Sequence, residues 1–342
     1  MKRVVKLHFF TCFHLTYRVL NNEHREFPCF KMQASDLFAY AADISPATYC
    51  QLFYVLAAAT VLAIAATPES VQGLLTQYGA RNLVRDGKEK RTANGLLIGT
   101  ISWITSVGKV PHSWFIHFYI LSITCSAFWA IQFLQHGSIM EFIVRNQAWR
   151  EESSMTVSQV IIAWLLMSLQ GTRRLYEYLA VLRPSSSTMW VIHWLLGASF
   201  YFCTNIAIWI EGSSSIKSSD RFFQSETLSF KTILGICLFL ASWFMQYRCH
   251  SYLSRLKKYS LPEDGLFRYL ICPHYTCECV LYLSLAIVAA PKDQLYNRTL
   301  ICAVLFVAVN LGVTAKGTKK WYGEKFGVEK VQGKWRMIPG VF

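Results

Sequence analysis

An all-α, polytopic integral-membrane protein of about seven transmembrane helices is what this sequence predicts, on three observations. Of 342 residues, 53% are hydrophobic and only 16% charged, whereas a water-soluble domain carries about 25% charged residues. The apolar residues are bunched into blocks long enough to span a bilayer, which takes roughly 20 residues. The basic residues, which give a net charge of +14, gather in alternate connecting segments, as the positive-inside rule describes.

Taken in order, the expected spans lie near 49–66, 114–134, 157–176, 189–210, 230–248, 274–290 and 299–315. Lipid offers no partner to a backbone amide, so each span must satisfy its own amides as a helix. The block 96–107, between Gly95 and Gly108, is too short and reads as a re-entrant or interfacial segment. Residues 1–48 form an N-terminal segment that carries Lys2, Arg3, Lys6, Arg18 and Arg25. It has no apolar core followed by a small-residue cleavage site, so no cleavable signal peptide is expected. A further membrane-associated helix or an irregular entry is expected there instead.

Lys and Arg concentrate in 81–91, at Arg173, Arg174 and Arg183, in 248–268, and beyond Ala315. Seven spans put all four regions on one side, the cytosolic one, together with the C-terminus. No internal repeat or long linker divides the chain, so 49–342 reads as one integral-membrane domain with a cytosolic C-terminal cap. Ser213, Ser214, Ser215, Ser218 and Ser219 mark a lumenal turn. Cys272, Cys277 and Cys279 cluster without the spacing of a zinc site. They read as small buried hydrophobes, and no metal is expected. The sequon Asn297-Arg298-Thr299 falls on an expected lumenal loop close to the membrane.

Ionisable groups in a span cost several kcal/mol unless paired or hydrated, which makes them functional candidates. Four places stand out. Gln170-Gly171-Thr172-Arg173-Arg174-Leu175-Tyr176-Glu177 ends the third span, with Arg173 and Glu177 four apart and so on one helix face. Gln246 and His250 have the same spacing and precede Arg255, Lys257 and Lys258. His274 and Glu278 repeat it behind Pro273, where the sixth block begins. The tail Lys319-Lys320-Trp321-Tyr322-Gly323-Glu324-Lys325-Phe326-Gly327 mixes cations, aromatics and glycine, the makings of a folded cap rather than a plain polybasic anchor. Snorkelling arginines and a solvated loop explain the cations alone, but not the paired Gln, His and Glu. Together these groups offer cations for phosphates and polar side chains for amides and hydroxyls, the inventory for an adenine dinucleotide. No Gly-x-Gly-x-x-Gly motif occurs, so such a site is not of the Rossmann type.

These pieces resemble the steroid 5-alpha-reductase family, most closely its polyprenal reductase branch. The resemblance rests on Val110-Pro111-His112-Ser113-Trp114-Phe115-Ile116-His117-Phe118-Tyr119 and on Arg173-Arg174-Leu175-Tyr176-Glu177. It continues with Leu261-Pro262-Glu263-Asp264-Gly265-Leu266-Phe267-Arg268-Tyr269, Pro273-His274-Tyr275 with Glu278, and Lys320-Trp321-Tyr322-Gly323-Glu324-Lys325-Phe326-Gly327 closed by Ile338-Pro339. It implies seven spans, an endoplasmic-reticulum location and an NADPH site built from the later helices and cytosolic loops. By the same resemblance, Arg173, Gln246, His250, Lys257, Tyr259, His274, Glu278, Lys319, Lys320 and Tyr322 would hold NADPH. The Glu and Tyr that clamp a ketone in the steroid-specific members fall near Lys109 and at Gln170, so that pair is absent. The ending Val331 to Phe342 also departs from the family's usual close.

The activity so implied is saturation of a double bond in a long polyprenyl lipid drawn from the bilayer, with no nucleic acid involved. Hydride attacks an electrophilic carbon, and an isolated allylic alkene is not one. Conjugated to an aldehyde the same alkene is polarised, so the species reduced is polyprenal rather than polyprenol. A donor must then face the carbonyl oxygen, and His112, His117, Tyr119 and Gln170 are the candidates. A steroid or enoyl-CoA reductase of the same family, an integral-membrane methyltransferase, and a transporter or scaffold remain as alternatives.

Overall fold

The computed structural model describes residues 44–68, 72, 103, 107–148, 154–182, 187–218, 228–257 and 260–342. The N-terminal segment up to residue 43, most of the block 96–107, the basic 81–91 loop and Tyr259 lie outside the described residues.

The chain runs α1 (Pro46–Ala65), β1 (Lys109–Pro111), α2 (Ile116–Leu134), α3 (Ser138–Ala148), α4 (Val157–Tyr176), β2 (Thr188–Trp190), α5 (Val191–Ile210), α6 (Ser213–Lys217), α7 (Phe230–Arg255), α8 (Pro273–Val288) and α9 (Arg298–Phe326). A 3-10 turn, His112–Phe115, leads into α2, and a π turn, Glu177–Val181, follows α4. Each of the seven expected blocks is helical. Among the described residues, five helices are long and apolar enough to cross a membrane: Pro46–Ala65, His112–Leu134, Val191–Ile210, Phe230–Arg255 and Arg298–Phe326. The count of seven spans is not reached on those grounds, for two physical reasons. α4 turns Gln159, Gln170 and Arg173 into the protein interior, and α8 has only 16 residues.

Starts and stops follow local chemistry. Ser45 caps α1 ahead of Pro46, Thr156 and Gln159 form a capping box on α4, and Ser229 caps α7. Asn297 caps α9: its Oδ1 accepts from Leu300 N at 2.9 Å and its Nδ2 donates to Ala289 O at 3.1 Å. Asn297 and Thr299 are fully buried, so the sequon is a structural cap with no surface open to a glycan. α9 extends to Phe326, well past the expected end near 315. Its 29 residues measure about 44 Å against a hydrocarbon core of about 30 Å, so the last turns stand outside the membrane.

The main interior cluster is apolar and includes Tyr54, Trp129, Met167, Phe200, Trp209, Phe239, Leu285 and Phe306. Outer faces carry bare apolar side chains such as Leu56, Ile131, Phe202 and Phe244, which suits lipid rather than water. β1 and β2 pair antiparallel, with Val110 opposite Met189, which binds the N-terminal ends of α2 and α5 together. The tail folds as a cap: Ile271 N donates to Trp335 O at 2.8 Å and Cys272 N to Arg336 O at 3.0 Å. A second, smaller cluster of Ile271, Cys272, Ala315, Val331 and Met337 lies beneath it.

Candidate active site

One end of the bundle holds a polar network built from four helices. Along α4 and into the π turn that follows it, Gln170, Arg173, Arg174 and Glu177 recur at three- and four-residue spacing, which stacks them on one face. The π turn closes with Leu182 N on Glu177 O at 2.8 Å, and Tyr178 ties it to the 3-10 turn ahead of α2 by donating to Ser113 O at 2.8 Å. Single π turns inside helices occur often at functional sites.

Glu177 is the hub. It is fully buried, faces Arg173 Nη1 at 3.1 Å, pairs with Arg174, and lies 2.8 Å from His250 Nδ1. Burial pushes its carboxyl up, but the His250 hydrogen bond and the charges of His250, Arg174 and Arg173 outweigh it and hold the group at about 2. His250 Nδ1 also lies 2.9 Å from Arg174 Nη1, so carboxylate and guanidinium compete for one ring nitrogen.

Each arginine has a distinct task. Arg173 donates to Trp243 O at 2.9 Å and to Gln170 Oε1 at 2.7 Å, and it also reaches Gln246. Gln246 passes the network on by donating to His274 O at 3.1 Å and to Glu278. Arg174 donates to the Tyr119 hydroxyl at 2.7 Å while its guanidinium stands 5.0 Å from the centre of that ring. A phenol oxygen that accepts from Arg174 keeps its own proton for a different partner.

Beside this network opens a cavity of about 950 Å³ with two kinds of wall. Arg174, Gln246, His250, His274 and Glu278 form a polar side, and Val61, Phe200, Phe306 and Leu311 an apolar one. His112, Tyr119 and Tyr322 line it as well. The His274 ring packs 5.5 Å from His250 and 4.3 Å from Tyr275, and its buried Nδ1 has no partner among the described residues.

Seven of the residues picked out in the sequence thus meet at one cavity: His112, Tyr119, Gln246, His250, His274, Glu278 and Tyr322. Six others stand elsewhere. His117 packs against Trp114 at 5.3 Å and Trp194 at 6.0 Å. Gln170 and Arg173 are buried behind the polar wall, bonded to each other. Lys257 is exposed at the end of α7, and Lys320 is exposed on α9. Lys319 donates to Gln332 O at 3.1 Å and Lys334 O at 2.6 Å, so its ammonium braces the cap. The wall also includes Tyr201, Tyr282, Asn310 and Thr314, which were not picked out. Four-residue spacing was the signal for Tyr282, Asn310 and Thr314, since Tyr282 continues His274 and Glu278, and Thr314 follows Asn310.

Fold and site together define a multi-pass helical membrane protein with a cavity that joins a polar wall to a larger apolar one. A family model described as 3-oxo-5-alpha-steroid 4-dehydrogenase matches residues 153–342. The chain belongs to that family, whose members are oxidoreductases that act on a carbon–carbon double bond. Among curated relatives, the polyprenal reductase of Saccharomyces cerevisiae is 36% identical over 166 residues, 48% of this chain and 58% of the yeast protein. Polyprenal reductase 1 of Arabidopsis thaliana is 28% identical over 252 residues, 64% of this chain and 77% of its own length. Polyprenal reductase 2 of Oryza sativa subsp. japonica is 25% identical over 342 aligned residues, 82% of this chain and 94% of that protein. The chain spans less than two thirds of the yeast relative's length.

Proposed function

We propose that the protein uses NADPH to saturate the α-isoprene double bond of polyprenal, giving dolichal for the dolichol that serves protein N-glycosylation. The reading places it in the endoplasmic-reticulum membrane with the site end and C-terminus cytosolic. The observation that carries it is the division of a single cavity into a wall of buried, charged and amide side chains and a wall of aliphatic and aromatic ones. A phosphorylated redox carrier suits the first and an isoprenoid the second. The names of the relatives point to the same substrate.

The residues present fit the cofactor. About 950 Å³ is at the upper end of volumes that take small molecules, roughly 300–1,000 Å³. The partnerless His274 Nδ1 on the cavity wall is a group that a bound ligand would satisfy. Arg174, Gln246, His250, His274, Glu278 and Tyr322 would hold the cofactor, Glu278 accepting from hydroxyl or amide hydrogens. When bound, NADPH supplies a hydride. Tyr119, held by Arg174, donates its hydroxyl proton toward the aldehyde oxygen and stabilises the charge that develops there. The apolar wall excludes water from the reacting carbons and orients the first isoprene. The rest of the tail leaves sideways into the bilayer.

Detergent-purified protein tests this with NADPH and, in parallel, a long-chain polyprenal, a 4-ene-3-ketosteroid and a 2-enoyl-CoA. Polyprenal is expected to be consumed fastest, and NADPH to raise the melting temperature where NADH and S-adenosylmethionine do not. Faster turnover of either other substrate, or no thermal shift with NADPH, removes the assignment.

A further inference from the structure

We infer that the phenol of Tyr282 is the acid that protonates the α-carbon of the substrate, a role that rests on the enal-reductase reading above. Tyr282 lies on α8 four residues beyond Glu278 and eight beyond His274, and all three line the cavity. That spacing keeps them on one helix face. Glu278 and His274 belong to the polar wall. Tyr282 packs edge-on against Phe200 at 5.2 Å, and Phe200 lies 5.6 Å from Phe306 on the apolar wall. Tyr282 therefore marks the junction of the two walls. A cofactor held by one wall and a prenyl chain held by the other bring their reacting atoms together at that junction.

The hydroxyl itself supplies the second observation. Tyr282 is buried, and its phenolic oxygen has no hydrogen-bond partner among the described residues. Other buried phenols here are engaged: Tyr54 pairs with Thr204 at 3.0 Å and Tyr119 with Arg174 at 2.7 Å. A buried hydroxyl without a partner destabilises the empty protein, and the penalty is relieved when a ligand accepts its proton.

The chemistry needs such a group. Hydride from the reduced nicotinamide forms a C–H bond at the β-carbon, and the alkene π pair moves to leave an enolate with its charge on oxygen, facing Tyr119. The enolate pair then takes the Tyr282 proton, a C–H bond forms at the α-carbon, the carbonyl is restored, and the phenolate regains a proton from water. The substrate gains one hydride and one proton, and Tyr282 ends unchanged.

The test is Tyr282→Phe in the full chain. Wild-type protein is assayed first with NADPH and polyprenal, and its inactivity would sink the reductase reading itself. Given an active wild type, the variant should lose about 100-fold or more in kcat, the usual scale for a positioned acid. Its NADPH affinity should be unchanged, and its melting temperature without ligand should be equal or higher. Incorporation of solvent deuterium at the α-carbon should slow in step with kcat. A kcat within about twofold of wild type, or a lower melting temperature for the ligand-free variant, overturns the assignment.

Discussion

Neutralising Glu177 is the sharpest probe of how the site end is held together. Glu177→Gln keeps the shape of the side chain but removes the charge that faces Arg173 at 3.1 Å, Arg174 and His250. At an effective dielectric of about 20, one unit pair at that separation attracts by about 5 kcal/mol. The guanidinium groups cannot escape to water, since the side chains of Arg173 and Arg174 are only 3% and 15% exposed. Breaking a buried pair while its partners stay buried costs about 3–5 kcal/mol. At about 2 °C per kcal/mol for a large domain, the melting temperature should fall by about 6–10 °C. Adding Arg174→Met should recover part of the loss, because a surplus buried cation goes with it. Acid gives a second signature. The carboxyl titrates at about 2 in the folded protein against an ordinary 4.5. A depressed folded-state value means its stabilisation is complete above about 4.5 and fades as the pH falls toward 2. The gap in melting temperature between wild type and Glu177→Gln should therefore narrow over that window. An unchanged melting temperature at neutral pH, or a gap independent of pH, would refute the picture of Glu177 as the hub.

Three further outcomes are expected. Tyr119→Phe removes the donor proposed to face the aldehyde oxygen and should lower kcat by about 100-fold or more with NADPH affinity intact; single-turnover rates and NADPH titration check it. A Cβ at Gly197 would meet the Phe118 ring at 2.6–3.0 Å, and both residues line the cavity. Gly197→Ala should thus raise KM for polyprenal and leave the NADPH titration unmoved. About 950 Å³ is the volume of one small-molecule site, too small for cofactor and long prenyl chain together. Turnover should therefore become independent of chain length beyond the first few isoprenes, measured with a polyprenal length series.

The sequence announced the helices more fully than their roles. All seven blocks could be read because lipid demands uninterrupted apolar runs, and that demand is visible residue by residue. α4 and α8 looked like the other spans because a block of apolar residues does not say whether it faces lipid or protein. The polar network was legible through the four-residue spacing of Arg173 and Glu177, Gln246 and His250, and His274 and Glu278. Which member of a pair reaches the cavity was not legible. Arg174 lines it and Arg173 stands behind it, a difference of 100° on the helix that only packing against α7 decides. Lys319 and Lys320 looked like phosphate ligands, and nothing local in the sequence shows that Lys319 reaches Gln332 and Lys334. The Asn297 sequon is equally silent on its role, since a helix cap and a glycan acceptor share one residue type.

The convergence of the site follows from where a membrane tolerates polarity. Charged groups are least costly near the ends of spans, where side chains reach headgroups and water. α4 and α7 give the site their C-terminal turns, α2 and α8 their N-terminal ones, because antiparallel neighbours present opposite termini at the same level. The depth of each residue then grades the chemistry. On α8, His274 and Glu278 occupy the first two turns and join the Gln246 network, whereas Tyr282, one turn deeper, meets Phe200. A single helix thus carries the passage from the polar network to hydrocarbon in two steps of four residues. An amphiphile aligned with the bilayer matches that gradient in one orientation only: head toward the polar end, tail toward lipid. That orientation puts the head-proximal double bond at the boundary without any dedicated contact to the rest of the chain.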